Sequence, residues 1–225
     1  MAQVEASTRV FEVHSFRNYL HSIALSSGEI AAQVEKIIYH PDPFRDEEAE
    51  GELPYQFVPA FYNYIERFNR LPFQQKFWDA YCYDLKHRAH FDLNSKSESY
   101  RHGLEARIKS RVYPALIRDI HFTKLLSEQL TDDYIVTYNP ELDFKFGIDV
   151  LIFNVQKKHF WGLCLLQNTD TAKEQLKRKK KKRRLFFKLD YIEEYINVNT
   201  RAPGVQLYAS SEVDKVIKAL ESANK

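Results

Sequence analysis

The chain has 225 residues, of which 44% are hydrophobic and 28% charged, and its formal net charge is +2. This balance is typical of a folded globular protein and excludes an intrinsically disordered chain. No apolar run approaches the ~20 residues that span a bilayer, and the N-terminus lacks the apolar core of a secretion signal. The two cysteines, Cys82 and Cys164, are far apart in the sequence and have no metal-ligand spacing. We therefore expect a cytoplasmic protein of a reducing compartment that does not enter a membrane.

Residues 1–100 are predicted to form a helical region. Apolar side chains at helical spacing predict one helix over residues 11–24 and a second over residues 29–39. Residues 57–68 and 72–86 carry aromatic side chains at the same spacing, which predicts two more helices. A stripe of this kind is typical of helices that pack on one another, so we expect these rings to form a core and not a base-stacking surface.

Two segments of the same region predict breaks. Residues 41–54 (PDPFRDEEAEGELP) combine prolines, a glycine and an acidic run, which predicts a linker. Residues 91–100 are polar and predict a loop or a domain boundary. We therefore expect a helical N-terminal region over residues 1–100 and a separate α/β core over residues 101–225.

The predicted core contains a helix over residues 113–128 that is apolar on nearly all sides. Such a helix is largely buried, so its polar residues Arg118, Asp119 and His121 need partners. The simplest arrangement is internal, with a bond between Arg118 and Asp119 that pins the helix.

Three strands are predicted after this helix, over residues 134–138, 144–153 and 160–167. The polar tip Gln156–Lys158 predicts that the second and third strands pair as a hairpin. Asp149 is the only carboxylate of the second strand. A lone charge there is costly unless it is paired or binds a cation. The alternative is an exposed aspartate on the polar face of a half-buried strand.

The remaining chain predicts a helix, a strand and a helix. Thr169 begins a helical segment that runs through a series of lysines toward Tyr195. Residues 205–209 predict a fourth strand, and Ser210 caps a last helix that ends near Leu220.

The resulting order is helix, strand, strand, strand, helix, strand, helix, with an aspartate in the second strand. This order resembles the core of the PD-(D/E)XK nuclease superfamily, over about residues 104–223. The resemblance implies an α/β fold with a restriction-endonuclease-like mixed sheet flanked by helices, preceded by the helical N-terminal region. It also implies Mg²⁺ or Mn²⁺, bound by the second-strand aspartate and an acidic residue of the third strand, with a lysine two positions further on. Asp149 stands where the metal-binding aspartate is expected.

The third strand departs from the family's motif and leaves two registers open. A hairpin that turns at residues 156–157 sets Asp149 opposite Cys164. Neither Cys164 nor Leu166 replaces the family's acid or its lysine. A register three residues longer sets Asp149 opposite Gln167, and glutamine replaces the acid in some family members. We expect the second register, because Mg²⁺ prefers oxygen ligands.

The resemblance then assigns the other catalytic residues. Asp149 and Gln167 would hold the metal, and Lys173 would be a lysine that has migrated to the next helix, as it does in part of the family. The family also places an accessory acid on the helix before the strands, and Glu105 and Asp119 are the two candidates.

The net charge is distributed unevenly. Residues 173–188 hold ten lysines and arginines against Glu174 alone, so they carry +9 and leave −7 on the rest of the chain. The run from Lys177 to Arg184 has no apolar side chain, so it is either solvated or bound to an anion. A polyanion would relieve the repulsion among these charges, which predicts contact with nucleic acid. The resemblance implies that this nucleic acid is DNA. A nuclear-localisation signal is the other interpretation of such a run.

Two parts of the chain are expected to contact nucleic acid. The first is Arg118, whose guanidinium suits bidentate phosphate binding. The second is a set of basic residues whose helical spacing places them on one side of a helix: Lys177, Lys180, Lys181 and Arg184.

Three functions remain open from the sequence. The first is a metal-dependent phosphodiesterase, a DNA endonuclease of the restriction or recombination type, in which the metal activates a water molecule. The second is a catalytically degenerate protein of the same fold that binds nucleic acid or a protein partner, including a second copy of itself. The third is a structural interaction protein whose basic segment docks on an acidic partner surface.

Overall fold

The structure is a computed structural model. The residues that it describes are 4–6, 9–11, 18–51, 53–139, 142, 148–167, 174, 190–196 and 204–223. Within these ranges the chain forms seven α-helices and six β-strands.

The helices are α1 (Ser27–Val34), α2 (Glu47–Glu50), α3 (Val58–Phe68), α4 (Gln74–His87), α5 (Glu98–Arg107), α6 (Tyr113–Gln129) and α7 (Ser210–Ala223). The strands are β1 (Val4–Ala6), β2 (Arg9–Phe11), β3 (Tyr134–Tyr138), β4 (Val150–Asn154), β5 (His159–Gln167) and β6 (Asp190–Ile196). A π-helical turn, Ile108–Val112, connects α5 to α6. None of the described helices has the length and apolar character needed to cross a membrane.

The chain divides into two compact units. The sheet unit comprises Met1–Ser22, Asp119–Asn199 and Leu207–Lys225, and the helical unit comprises Ile23–Arg118 and Thr200–Gln206. The division therefore falls within α6. The boundary expected between residues 100 and 101 lies inside α5, which continues through the π-helical turn into α6.

A four-stranded mixed sheet organises the sheet unit, in the order β3-β4-β5-β6. The first three strands are consecutive and antiparallel, and β6 is parallel to β5. The predicted strand at 134–138 is confirmed, and so is the hairpin between the second and third strands. The protein is thus a mixed α/β protein, as the sequence predicts.

The fourth strand lies earlier in the chain than predicted. Asp190–Ile196 pairs with β5 over seven residues, so the helix predicted to reach Tyr195 is wrong at its end. The segment is rich in tyrosine and isoleucine, which fit a pleated surface, and the β5 partner decides its conformation. Residues 205–209 contain only one bridged residue, Tyr208, and not the strand that the sequence predicts. Apart from Glu174, residues 168–189 lie outside the described part of the chain.

The helix predicted over residues 11–24 is also wrong where the structure describes it. Arg9–Phe11 pairs with Val4–Ala6 as a short antiparallel ribbon. Farther along, Asn18 bonds to β3, donating its Nδ2 to the Val136 carbonyl at 3.0 Å and accepting from the Tyr138 N–H at 3.2 Å. The side-chain amide of Asn18 is therefore satisfied by β3 at the edge of the sheet.

An aromatic core fills the helical unit. Phe61 of α3 contacts Phe77 of α4 edge to face, with ring centroids 5.5 Å apart, and both rings are fully buried. The Tyr113 hydroxyl donates to the Pro72 carbonyl at 2.7 Å, which satisfies it inside this core. The predicted packing of α3 and α4 through aromatic side chains is confirmed.

The acidic segment predicted to be a linker is an ordered part of the helical unit. Residues 42–50, here called the acidic strap, contain α2 and lie along α5. The strap approaches the backbone of α5 closely at Gly103, where an added Cβ would lie 2.4 Å from the Asp46 Cβ and 3.0 Å from its backbone nitrogen. Only a residue without a side chain fits this approach.

Charged and polar contacts attach the strap along its length. Asp42 Oδ2 lies 2.7 Å from His102 Nε2, and Asp46 Oδ2 accepts from the Ser99 hydroxyl at 2.6 Å. Arg107 donates to the carbonyl of Ala49 at 2.6 Å. The carboxylates Asp42 and Asp46 of the strap thus bind side chains of the same unit. The prediction of a linker, which rested on composition, is wrong.

Candidate functional site

Asp149 lies at a bend immediately before β4, and not in the middle of a strand as predicted. Its backbone N–H donates to the Leu163 carbonyl at 3.0 Å. Its side-chain Oδ2 accepts from the backbone N–H of Leu165 at 2.6 Å. Because Val150 pairs with Leu163, the antiparallel register sets Asp149 level with Cys164.

The predicted pairing of Asp149 with Gln167 is therefore wrong. Gln167 pairs with Ile196 of β6 and lies three residues beyond Cys164, roughly 10 Å along the strand. The hairpin turn explains the register, because Asn154 and His159 are the last paired residues and only four residues connect them.

The turn itself is closed by two local features. Asn154 Oδ1 accepts from the Lys157 N–H at 2.8 Å. Lys158 adopts a left-handed conformation with φ of 51°. A tight turn of this kind fixes strand register.

The residues beside Asp149 do not fit a magnesium site. Cys164 is 1% exposed, and its neighbours Leu163 and Leu165 are buried leucines. A thiol is a soft ligand and suits Mg²⁺ poorly, whereas Mg²⁺ requires several oxygen ligands in octahedral geometry. Within the described ranges there is no group of three or more His, Cys, Asp or Glu that could hold a metal ion. The Asp149 carboxylate instead satisfies a backbone N–H of β5.

The two candidate accessory acids belong to different units. Glu105 of the helical unit accepts from Lys109 Nζ at 3.0 Å, an ion pair along one face of the helix. Asp119 belongs to the sheet unit, and its backbone carbonyl accepts from the Thr123 hydroxyl at 2.6 Å. Neither contact assigns a catalytic role.

Arg118 is half-buried in the helical unit, and its Nε has no hydrogen-bond partner in the described part of the chain. Burial raises the pKa of the Tyr39 hydroxyl, and the positive charge of Arg118 opposes that shift. Tyr39 in turn donates to the Ser110 carbonyl at 2.7 Å. Arg118 therefore keeps a donor for another group, which agrees with its prediction as an anion-binding residue but does not test it.

The basic residues lie in the connection between β5 and β6. Lys173 and the four predicted contact residues Lys177, Lys180, Lys181 and Arg184 are outside the described residues. The connection leaves the sheet at the carboxyl end of β5. This is also the end at which β4 begins, because β4 and β5 are antiparallel. The chain that carries the basic run thus departs from the edge of the sheet where Asp149 lies.

His121 is a second residue of α6, after Arg118, with a buried side-chain nitrogen that lacks a hydrogen-bond partner among the described residues. It is 8% exposed, and its Nδ1 has no hydrogen-bond partner among the described residues. Burial lowers the pKa of the imidazole, and the negative charge of Glu128 opposes this effect. The sequence predicts that His121 is buried, but not that one ring nitrogen stays without a partner.

Two rings of the predicted aromatic stripe are exposed instead of buried. Phe68, at the end of α3, is 46% exposed, and Phe73, just before α4, is 56% exposed. Helical spacing places both on the apolar stripe, but the chain leaves the helix at Asn69, which has φ of 47°. The feature of the sequence that indicates an exposed Phe68 ring is the pair of arginines beside it, Arg67 and Arg70.

Comparisons of the chain with protein-family models, curated proteins and solved structures gave no significant match. The resemblance to the PD-(D/E)XK superfamily therefore rests on the order of elements and on the position of Asp149.

Proposed function

We propose that the protein binds nucleic acid through its basic segment, residues 173–188, on a restriction-endonuclease-like core whose metal site is degenerate. The observation that carries this proposal is the position of the segment in the connection that leaves the Asp149 edge of the sheet. Ligands of open α/β sheets commonly bind outside the carboxyl ends of the strands. The connection that leaves this edge carries a run of eight cationic residues in its sequence, which suits a polyanion.

The architecture supports the nuclease-like part of the proposal. Helix α6 precedes three antiparallel strands, and a connection of 22 residues leads to the parallel strand β6 and then to α7. The described elements follow the order that the resemblance implies, although the fourth strand comes earlier than the sequence predicts. The helix that the sequence predicts between the third and fourth strands lies outside the described residues. The sheet is mixed, as the resemblance also implies.

The register supports the loss of catalysis. In the family, an acid of the third strand completes the metal site, whereas Cys164 occupies the position level with Asp149 here. The Asp149 carboxylate accepts a backbone hydrogen bond from Leu165 instead. We therefore derive no metal-dependent step for this protein.

One observation favours a second candidate, a metal-dependent DNA endonuclease. Asp149 is only half-buried, and the chain that carries Lys173 leaves from the same edge of the sheet. The two candidates differ in whether binding and cleavage of DNA depend on Asp149 and on a divalent metal.

A paired experiment separates the two candidates. Binding to a fluorescent duplex is measured by anisotropy in EDTA and in Mg²⁺, and nicking of a supercoiled plasmid is measured in Mg²⁺ and in Mn²⁺. We expect binding in both conditions and no nicking. Metal-dependent nicking that disappears in Asp149→Asn would establish the endonuclease, and the absence of binding in both conditions would refute the proposed function.

A further inference from the structure

The turn between α3 and α4 carries an exposed aromatic ring flanked by two arginines. Phe68 is 46% exposed. The guanidinium carbon of Arg67 lies 5.2 Å from its ring centroid and that of Arg70 lies 5.9 Å from it. The Tyr64 ring, one helical turn earlier, lies 4.6 Å away between centroids. We call these four residues the Phe68 surface.

The backbone below this surface is fixed at several points. The Asn69 N–H caps α3 by donating to the Ile65 carbonyl at 2.8 Å. The Leu71 N–H donates to Gln33 Oε1 at 2.8 Å. The buried Tyr113 hydroxyl donates to the Pro72 carbonyl at 2.7 Å. The ring of Phe68 is therefore held at the surface by an anchored turn.

The two arginines keep their donors for another group. Among the described residues, neither Arg67 nor Arg70 forms an ion pair or a hydrogen bond, and both guanidinium groups lie against the Phe68 ring. The partial negative charge at the end of α3 favours Arg67 at its position. That effect accounts neither for Arg70, which lies beyond the helix, nor for the exposure of Phe68.

We propose that the Phe68 surface binds single-stranded nucleic acid. A base stacks on the Phe68 ring, and adjacent phosphates are held by Arg67 and Arg70, whose forked donors match phosphate oxygens. Stacking on an aromatic side chain changes affinity by roughly 5- to 150-fold per base. The bases of a duplex are stacked on one another and offer no free face, so the ligand is a single strand. An acidic peptide would pair with the arginines but leave the ring uncovered.

This site belongs to the helical unit and uses no residue of the basic segment or of the Asp149 edge. It adds a second binding surface to the protein, and it does not depend on the proposed function. The test must therefore measure stacking separately from the attraction of phosphates to lysine.

An abasic oligonucleotide makes that separation. The affinities of the full chain for a labelled thymidine 12-mer and for a 12-mer of abasic tetrahydrofuran units are compared by anisotropy at one salt concentration. The variants are Phe68→Ala, Phe68→Leu, which keeps apolar bulk without a ring, and the double variant Arg67→Gln with Arg70→Gln. Tyr83→Ala is the matched control, because Tyr83 is an exposed aromatic residue on α4 with 61% exposure.

We expect wild type and Tyr83→Ala to prefer the base-bearing strand by at least about fivefold, and both Phe68 variants to lose that preference. The double arginine variant should bind both oligonucleotides more weakly. Equal binding of the two strands by wild type, or an unchanged preference in the Phe68 variants, overturns the proposal. Binding of a poly-glutamate peptide is measured in parallel. The proposal is also overturned if the double arginine variant binds this peptide more weakly than wild type but binds both oligonucleotides with unchanged affinity. The same measurements are repeated in a background with glutamine at Lys177, Lys180, Lys181 and Arg184. If the protein with wild-type Phe68 no longer prefers the base-bearing strand in that background, the preference belongs to the basic segment and the proposal is overturned.

Discussion

The carboxylate of Asp149 accepts a hydrogen bond from the backbone N–H of Leu165 at 2.6 Å. This bond joins the residue before β4 to β5, beyond the last backbone pair of Val150 with Leu163. It gives a carboxylate in an apolar ribbon a structural purpose that needs no metal. The same contact fixes the neighbouring thiol, Cys164, level with the aspartate.

Replacing Asp149 with alanine should therefore destabilise the protein. The Leu165 N–H would lose its acceptor, at a cost of about 1–3 kcal/mol in the free energy of unfolding. Asp149→Asn keeps an oxygen acceptor and should cost less. Urea denaturation measures both, with Asp214→Ala as an exposed control expected within about 0.5 kcal/mol of wild type. An alanine variant as stable as wild type would contradict a stabilising role for the bond between Asp149 and Leu165.

The close approach of Gly103 to Asp46 predicts opposite effects at two helical glycines. Gly103→Ala puts a methyl group 2.4 Å from the Asp46 Cβ, so the acidic strap must shift and the protein should lose about 1–3 kcal/mol. Gly28→Ala in α1 meets nothing within 4 Å and should gain up to about 1 kcal/mol, because glycine is a poor helix former. Thermal unfolding of both variants checks this, and a stabilised Gly103→Ala would contradict the packing of the strap on α5.

Burial of His121 predicts a pH dependence of stability. Burial lowers the pKa of the folded-state imidazole, while the unfolded chain keeps a value near ~6.5. The unfolded state therefore binds the proton more readily, so this contribution to stability is present above that pH and is lost as the pH falls below it. His121→Gln should reduce the difference in unfolding free energy between pH 7.5 and pH 5. The exposed-site variant His87→Gln should keep the wild-type difference, and an equal change in both variants would contradict the assignment.

Cys82 should react slowly with alkylating reagents. Burial, aided by the negative charges of Glu105 and Asp79, raises the pKa of its thiol to about 12. Only the thiolate is a good nucleophile, so at pH 8 alkylation should be on the order of a thousandfold slower than for a free cysteine. Glu105→Gln removes one repelling charge and should speed the reaction modestly. Mass spectrometry of iodoacetamide-treated protein measures the rate at Cys82, and labelling as fast as in urea would contradict this environment.

Sequence patterns predict the elements whose local composition is unambiguous. The strand at residues 134–138, the hairpin and helix α6 occur where β-branched and aromatic residues, a polar tip and a nearly continuous apolar segment predict them. Residues 190–196 were mistaken for helix, because the spacing of tyrosine and isoleucine there also fits one helical face. The backbone partner on β5 decides between the two, and local sequence does not contain that information.

The errors at the candidate site have a similar origin. The register of the hairpin depends on the geometry of a four-residue turn, which is closed by Asn154 and by the left-handed Lys158. The prediction that Gln167 faces Asp149 came instead from the preference of Mg²⁺ for oxygen ligands. The acidic strap has the composition of a linker, but pairing with α5 residues such as His102 orders it. Turn geometry overrides the ligand argument in the first case, and a tertiary contact overrides the composition rule in the second.

The salt dependence of duplex binding tests the central claim most directly. Each phosphate neutralised by the basic segment contributes about −0.9 to the slope of log K against log salt concentration. We predict that glutamine at Lys177, Lys180, Lys181 and Arg184 flattens this slope by roughly three to four in EDTA. A control that removes four charges from exposed positions, Lys36, Lys76, Lys86 and Lys218, should keep the wild-type slope. An unaltered slope in the first variant would contradict the account, because the basic segment would then not contact nucleic acid.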